Sequence, residues 1–143
     1  MSSEAEVRSA SEQFYLALNK MANGDAGLLA DIWSNSPEVT TMHPIGGREV
    51  GWDAVRASFQ GVAANAAEGR IELSDQIIHL VGDLAYELGV ERGHFKLAGQ
   101  SINIEHRVTN IYRREGGAWK IVHHHTDLSP AMLDILKHLQ PKA

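Results

Sequence analysis

The chain has no cysteine. That removes disulfides, thiolate nucleophiles and cysteine-ligated metal sites together. It also has no surplus of basic charge: 13 Lys and Arg stand against 18 Asp and Glu, for a formal net charge of −5. Without a basic block, a phosphate backbone is not an expected partner. No apolar run approaches the ~18 residues that a membrane span needs. The opening MSSEAEVRSASEQ lacks the charged-then-apolar order of a secretory leader. There is no GxGxxG, no Walker sequence, and no nucleophile elbow around Ser58 or Ser74. A soluble, cytoplasmic protein with neither nucleic acid nor membrane as partner is the expectation.

What is present is globular in character. Of 143 residues 43% are hydrophobic, which can build a core without staples. The natural reading is one domain over 1–143. Val7, Ala10, Phe14, Leu18 and Met21 recur at helical spacing behind Ser3 and Glu6, a capping-box pair, and Asn23-Gly24 ends that stripe. DAGLLADIW reads as a short helix capped by Asp25. PEVTTMHP reads as a strand closed by Pro44 and a Gly46-Gly47 turn. GWDAVRASFQGVAANAAEG reads as a helix whose stripe runs Val55, Phe59, Val62, Ala66 and which stops at Gly69.

From Ile71 the period changes to two, and four long strands follow, joined by tight glycine turns at Gly82, Gly99 and Gly116-Gly117. Turns this short imply antiparallel neighbours. Ser129-Pro130 then starts a final helix, with Met132, Leu133, Leu136 and Leu139 as its stripe and Pro141 as its end. Helices first and strands afterwards give an α+β fold, with helices packed on one face of a curved antiparallel sheet.

The histidines carry the chemical interest. His43 lies at a strand end before Pro44, and a neutral imidazole takes a proton near pH 7. WKIVHHHTDLSP holds three in a row. Strand alternation puts His123 and His125 on the face of Trp119 and Ile121, and His124 on the other with Lys120 and Val122. Asp127 could orient His125. An H-x-H pair joined by His43 or His106 could hold a metal, but the spacing alone is weak evidence and no metal ligand is assigned. In SINIEHRVTNIY, alternation puts Ile102, Ile104, His106 and Val108 on the apolar face.

HPIGGREVGWDAVRASF (43–59) and HRVTNIYRREGGAWKIVHHHTDLSP (106–130), together with the element order, resemble the nuclear transport factor 2-like superfamily. Within it the chain looks most like the SnoaL-like and ketosteroid-isomerase-like proteins. The resemblance implies a cone-shaped sheet wrapped around about three helices, an interior pocket, and a homodimer formed through the outer sheet face. The family's isomerases use an aspartate base before a proline in the first strand, with a tyrosine and a protonated aspartate as oxyanion donors. The base position falls on His43, the oxyanion aspartate on Thr109, and the tyrosine near Tyr15. The resemblance turns Arg107 and Thr109 inward, against the alternation, and an inward Arg107 would favour an anionic ligand. It places Trp33, Trp52 and Phe59 near the pocket mouth. The implied function is binding of a small apolar or carbonyl-containing molecule, with isomerisation, cyclisation or dehydration by proton transfer and no cofactor. In that scheme His43, Tyr15 and Thr109 are catalytic, while Trp33, Trp52, Phe59, Arg107, His123 and His125 contact the ligand. The alternative is a non-catalytic binding or association domain.

Overall fold

The computed structural model describes residues 3–139. Helix α1 (Ser3–Met21) is followed by the single turn α2 (Leu29–Ile32), the hairpin β1 (Thr40–His43) and β2 (Gly46–Val50), and helix α3 (Trp52–Ala63). The long strands β3 (Ala66–Val81), β4 (Leu84–Leu97), β5 (Gln100–Glu115) and β6 (Ala118–Thr126) come next, then α4 (Pro130–Leu139). They form a six-stranded sheet in the order β2-β1-β6-β5-β4-β3. The fold is mixed α+β, with the helices in the hollow of a curved sheet.

Each expected element forms, with four local differences. Ser3 lies inside α1, its hydroxyl accepts from Arg114, and Glu6 accepts from the Trp119 indole, so this pair ties the helix to the sheet. Asp25 caps no helix; its carboxylate accepts the Gly27 amide in a tight turn. Gly46 and Gly47 do more than turn the chain, because they begin β2, and β1 pairs with β6 in parallel. Finally, α3 stops at Ala63 and Ala66 is already in β3, opposite Leu97. The alanine-rich segment favours helix locally, but pairing with β4 overrides that preference. The expected end at Pro141 lies outside the described residues.

α1 buries Val7, Phe14, Leu18 and Met21 against the sheet. Trp33 is fully buried and packs against Phe14, Trp52 and Phe59. Strand β3 bends at two irregularities, where Glu68 and Asp75 adopt positive φ, as extra residues in a ladder require. Opposite the first bend sits Gly93. A Cβ there would lie 1.9 Å from the Arg70 carbonyl oxygen and 3.0 Å from the Ile71 Cα. Backbone cannot retreat as a side chain can, so Gly93→Ala is expected to cost about 3 kcal/mol. Gly61, on α3 with nothing near its would-be Cβ, is the control: Gly61→Ala should gain roughly 0.5–1 kcal/mol. Urea midpoints of the two variants against wild type test both. Equal midpoints for Gly93→Ala and wild type would contradict the close approach of β3 and β4.

Candidate functional site

The inward face of β5 carries Ile102, Ile104, His106, Val108, Asn110 and Tyr112, all buried. The alternation therefore prevails over the inward Arg107 and Thr109 that the resemblance implied. On β4 the inward face carries Glu87 and Glu91. Because β4 and β5 pair with Glu91 opposite His106 and Glu87 opposite Asn110, each acid meets its partner side chain directly.

Glu91 Oε1 lies 2.7 Å from His106 Nε2, and the Tyr15 hydroxyl from α1 donates to Oε2 at 2.8 Å. Asn110 Nδ2 donates both to the Tyr15 oxygen at 3.1 Å and to Glu87 at 3.0 Å. Its Oδ1 meets His124 Nδ1 at 2.6 Å. His43, at the end of β1, bonds the Ser58 hydroxyl of α3 at 2.7 Å and packs on Phe59.

The histidine triplet is oriented opposite to the reading from simple alternation. In the β5–β6 ladder Tyr112 faces Ile121, but Ile111 faces His123. Val122 is the extra residue of a bulge, and everything after it changes face. His124 is thus 3% exposed and points into the core, whereas His125 is exposed and His123 half-buried on the outer side. His123 bonds Thr40 at 2.6 Å. Asp127 does not orient His125; it takes both ends of the Arg107 guanidinium, at 2.8 and 3.0 Å. Arg107, Thr109 and His125 do come together, but in a shallow outer groove with Leu88 and Val90. Among the described residues no cluster of histidines and acids is placed to hold a metal ion.

Of the residues singled out from sequence, His43 and Phe59 line the interior cavity, and Tyr15 stands just behind it on Glu91. Trp33 and Trp52 are core. Glu91, His106 and His124 line the cavity without having been assigned to it. The alternation of β5 already turned His106 inward. Nothing local announced the bulge that turns His124 in. The other lining residues are apolar, Leu18, Ile104 and Met132 among them, and the free volume is about 50 Å³. That holds a few waters, and anything larger would have to displace a lining side chain such as Met132 of α4.

Burial governs protonation here. It lowers His43 to about 3, helped by the neighbouring His124 and opposed by Glu91. It lowers His124 to about 4 against the pull of Glu91. For Glu91 burial pushes upward, but the His106 hydrogen bond, the charges of His124 and His106 and the Tyr15 hydroxyl outweigh it, so its carboxyl stays below the usual range. Burial and the Glu91 charge raise Tyr15 well above 10.0, so it remains a phenol. At neutral pH the cavity therefore presents neutral rings at His43 and His124, and the Glu91 carboxylate bonded to His106.

The SnoaL-like domain family matches residues 7–132. The chain belongs to that family. No curated protein matches the sequence. Among solved structures, this SnoaL-like chain is similar to a nuclear transport factor 2-like protein from Streptomyces avermitilis proposed to be a dehydratase: 23% identity, 88% of this chain and 95% of that one, TM-score 0.76. It is similar to a nuclear transport factor 2-like superfamily protein from Salmonella enterica at 20% identity, covering 86% and 88%, TM-score 0.76. It is also similar to the CaMKII hub of S. rosetta at 19% identity, covering 87% and 95%, TM-score 0.70. At these identities the likeness concerns the fold, which SnoaL-like domains share with catalysts and assembly modules alike. No helix among the described residues is long and apolar enough to cross a membrane.

Proposed function

We propose that this SnoaL-like domain binds a small, mostly apolar molecule in the interior cavity and catalyses a proton transfer on it, as an isomerase or dehydratase does. One observation carries the reading: three imidazoles and a carboxylate converge on an otherwise apolar enclosure. His106 takes the role of base in this reading. Glu91 holds its Nε2–H, leaving Nδ1 to accept a proton, and the carboxylate at 2.7 Å offsets the charge the ring then gains. His43 is less suited to that role, since a ring lowered to about 3 gives little driving force near pH 7. It serves better in positioning the ligand. Tyr15 keeps Glu91 in place.

The test is His106→Gln, whose amide can keep the Glu91 contact but cannot act as base. A ligand found by thermal shift is expected to stabilise both proteins, by about 2.7 kcal/mol at a hundred times its Kd. Turnover of that ligand should fall 10²–10⁴-fold in the variant. Unchanged turnover would remove His106 from the chemistry. His123→Ala, altering a residue of the outer face, should leave both properties as in wild type.

A second property rests on a separate observation. Ile77, Leu84, Tyr86 and Leu88 are large apolar side chains exposed on β3 and β4. This supports a homodimer through the outer sheet face. Sedimentation velocity of wild type and Leu88→Glu tests it; a monomeric wild type would refute it.

A further inference from the structure

Two of the cavity rings, His124 and His43, have tautomers fixed by chains of hydrogen bonds of known direction. Arg8 can only donate, and its guanidinium bonds the Gln76 carbonyl oxygen. The Gln76 amide nitrogen therefore turns to Glu87 Oε2, 2.6 Å away. Glu87 is fully buried, and its other oxygen accepts from the Tyr112 hydroxyl at 2.8 Å and from Asn110 Nδ2. With Nδ2 spent on Glu87 and Tyr15, Asn110 can offer His124 only its Oδ1. His124 must then carry its proton on Nδ1, and its Nε2 is a bare acceptor. A shorter chain fixes His43. Ser58 gives its single proton to the Val55 carbonyl at 2.6 Å, so its oxygen accepts from His43 Nε2–H, and His43 Nδ1 is the bare acceptor.

The polar side chains lining the cavity are His43, Glu91, His106 and His124. Two of the rings are locked as acceptors, and Glu91 adds acceptor oxygens and negative charge. We propose that the cavity selects small neutral molecules that donate hydrogen bonds, namely alcohols, phenols or enols, and discriminates against carboxylates and against ethers of the same shape. This rests on the reading of the cavity as the ligand site and names the ligand class for it. A donor left facing solvent gains nothing from these nitrogens, whereas an acceptor group brought against them buries two lone pairs without a proton between them. The rings are 6.4 Å apart between centroids, close enough for one small molecule to meet both. Their neutrality at pH 7 follows from their positions well below 6.5. The network that sets the His124 tautomer reaches from Arg8, on the exposed side of α1, to the cavity wall. Asn110 and Glu87 are thus positioning residues for His124.

Two measurements test the proposal. Long-range ¹H–¹⁵N correlation on protein labelled at histidine should show His124 protonated at Nδ1 and His43 at Nε2 throughout pH 5.5 to 8. The opposite tautomer, or a cationic ring, at either site overturns it. Calorimetry with phenol, anisole and benzoate is then run on wild type and on Met132→Ala, which widens the cavity. The expected result is phenol binding at least ten-fold tighter than anisole in whichever protein admits it, with no benzoate binding. Anisole binding as tightly as phenol would overturn the selectivity while leaving the cavity as the ligand site. Binding of none of the three in either protein would count against both.

Discussion

Between pH 6 and pH 4 the protein is expected to lose stability at about 2.7 kcal/mol per pH unit, the slope for two protons taken up on unfolding. The two protons belong to His43 and His124. In the folded chain these rings titrate at about 3 and about 4, and in the unfolded chain near 6.5. A lowered folded pKa means that the unfolded chain binds the proton first. The stabilising contribution is therefore complete above pH 6.5. It is lost as pH falls towards 4 for His124 and towards 3 for His43. His123, lowered by partial burial and by His125, adds a smaller share. Glu91 acts further down: its carboxyl is held below the usual range, so its contribution is present above about pH 4.5 and fades as pH falls through its folded value. For a domain with 5–15 kcal/mol to lose, the expected loss of about 5 kcal/mol between pH 6 and pH 4 is a third or more of its stability. Urea midpoints measured from pH 4 to 7 check it. A flat profile from 7 to 5 would mean that both rings are solvated or charged in the fold. His43→Gln should halve the slope and end the dependence near pH 4, where His124 titrates, instead of near 3.

Glu87→Gln is expected to cost about 3 kcal/mol, a fall in Tm of roughly 10 °C for a chain of this size. Glu87 is an acceptor surrounded by donors: Gln76, Asn110 and Tyr112. The new amide can satisfy two of them with its oxygen. Its nitrogen then meets the Gln76 nitrogen 2.6 Å away. Gln76 cannot turn to relieve the clash, because its carbonyl is engaged by Arg8. If the new amide turns instead, Asn110 and Tyr112 lose their acceptor, and a buried donor without a partner costs about 1–3 kcal/mol. The diagnostic variant is the double change Glu87→Gln with Gln76→Glu. It restores an acceptor facing the new amide and gives Arg8 a carboxylate. Recovery of at least half the lost stability is expected from thermal melts. No recovery would mean that the loss came from something other than the clash of donors.

The amino-acid sequence by itself determined the class of this fold and most of its elements. Apolar residues spaced three and four apart make α1, and strict alternation from Ile102 to Tyr112 makes β5 with the correct face inward, because burial of one face imposes the period of each element. Glycines at positive φ, such as Gly24 after α1 and Gly117 before β6, punctuate the chain where the residue type predicts. His43 at the cavity wall was legible from its place before Pro44. The tertiary structure alone decided the rest. The stop of α3 at Ala63 depends on pairing with β4, where Ala66 meets Leu97, 31 residues further along the chain. The second strand of the β1–β2 hairpin is short and glycine-led, and it exists because β1 and β6 leave an edge to extend. The bulge at Val122 is a property of the β5–β6 ladder, not of WKIVHHHTDLSP. It turns His124 inward and sends His123 and His125 to the outer face. Glu91 and Glu87 reach the interior as members of cross-strand pairs with His106 and Asn110. Period and punctuation are local and can be read along one chain; register and the protons it fixes arise only where two strands meet.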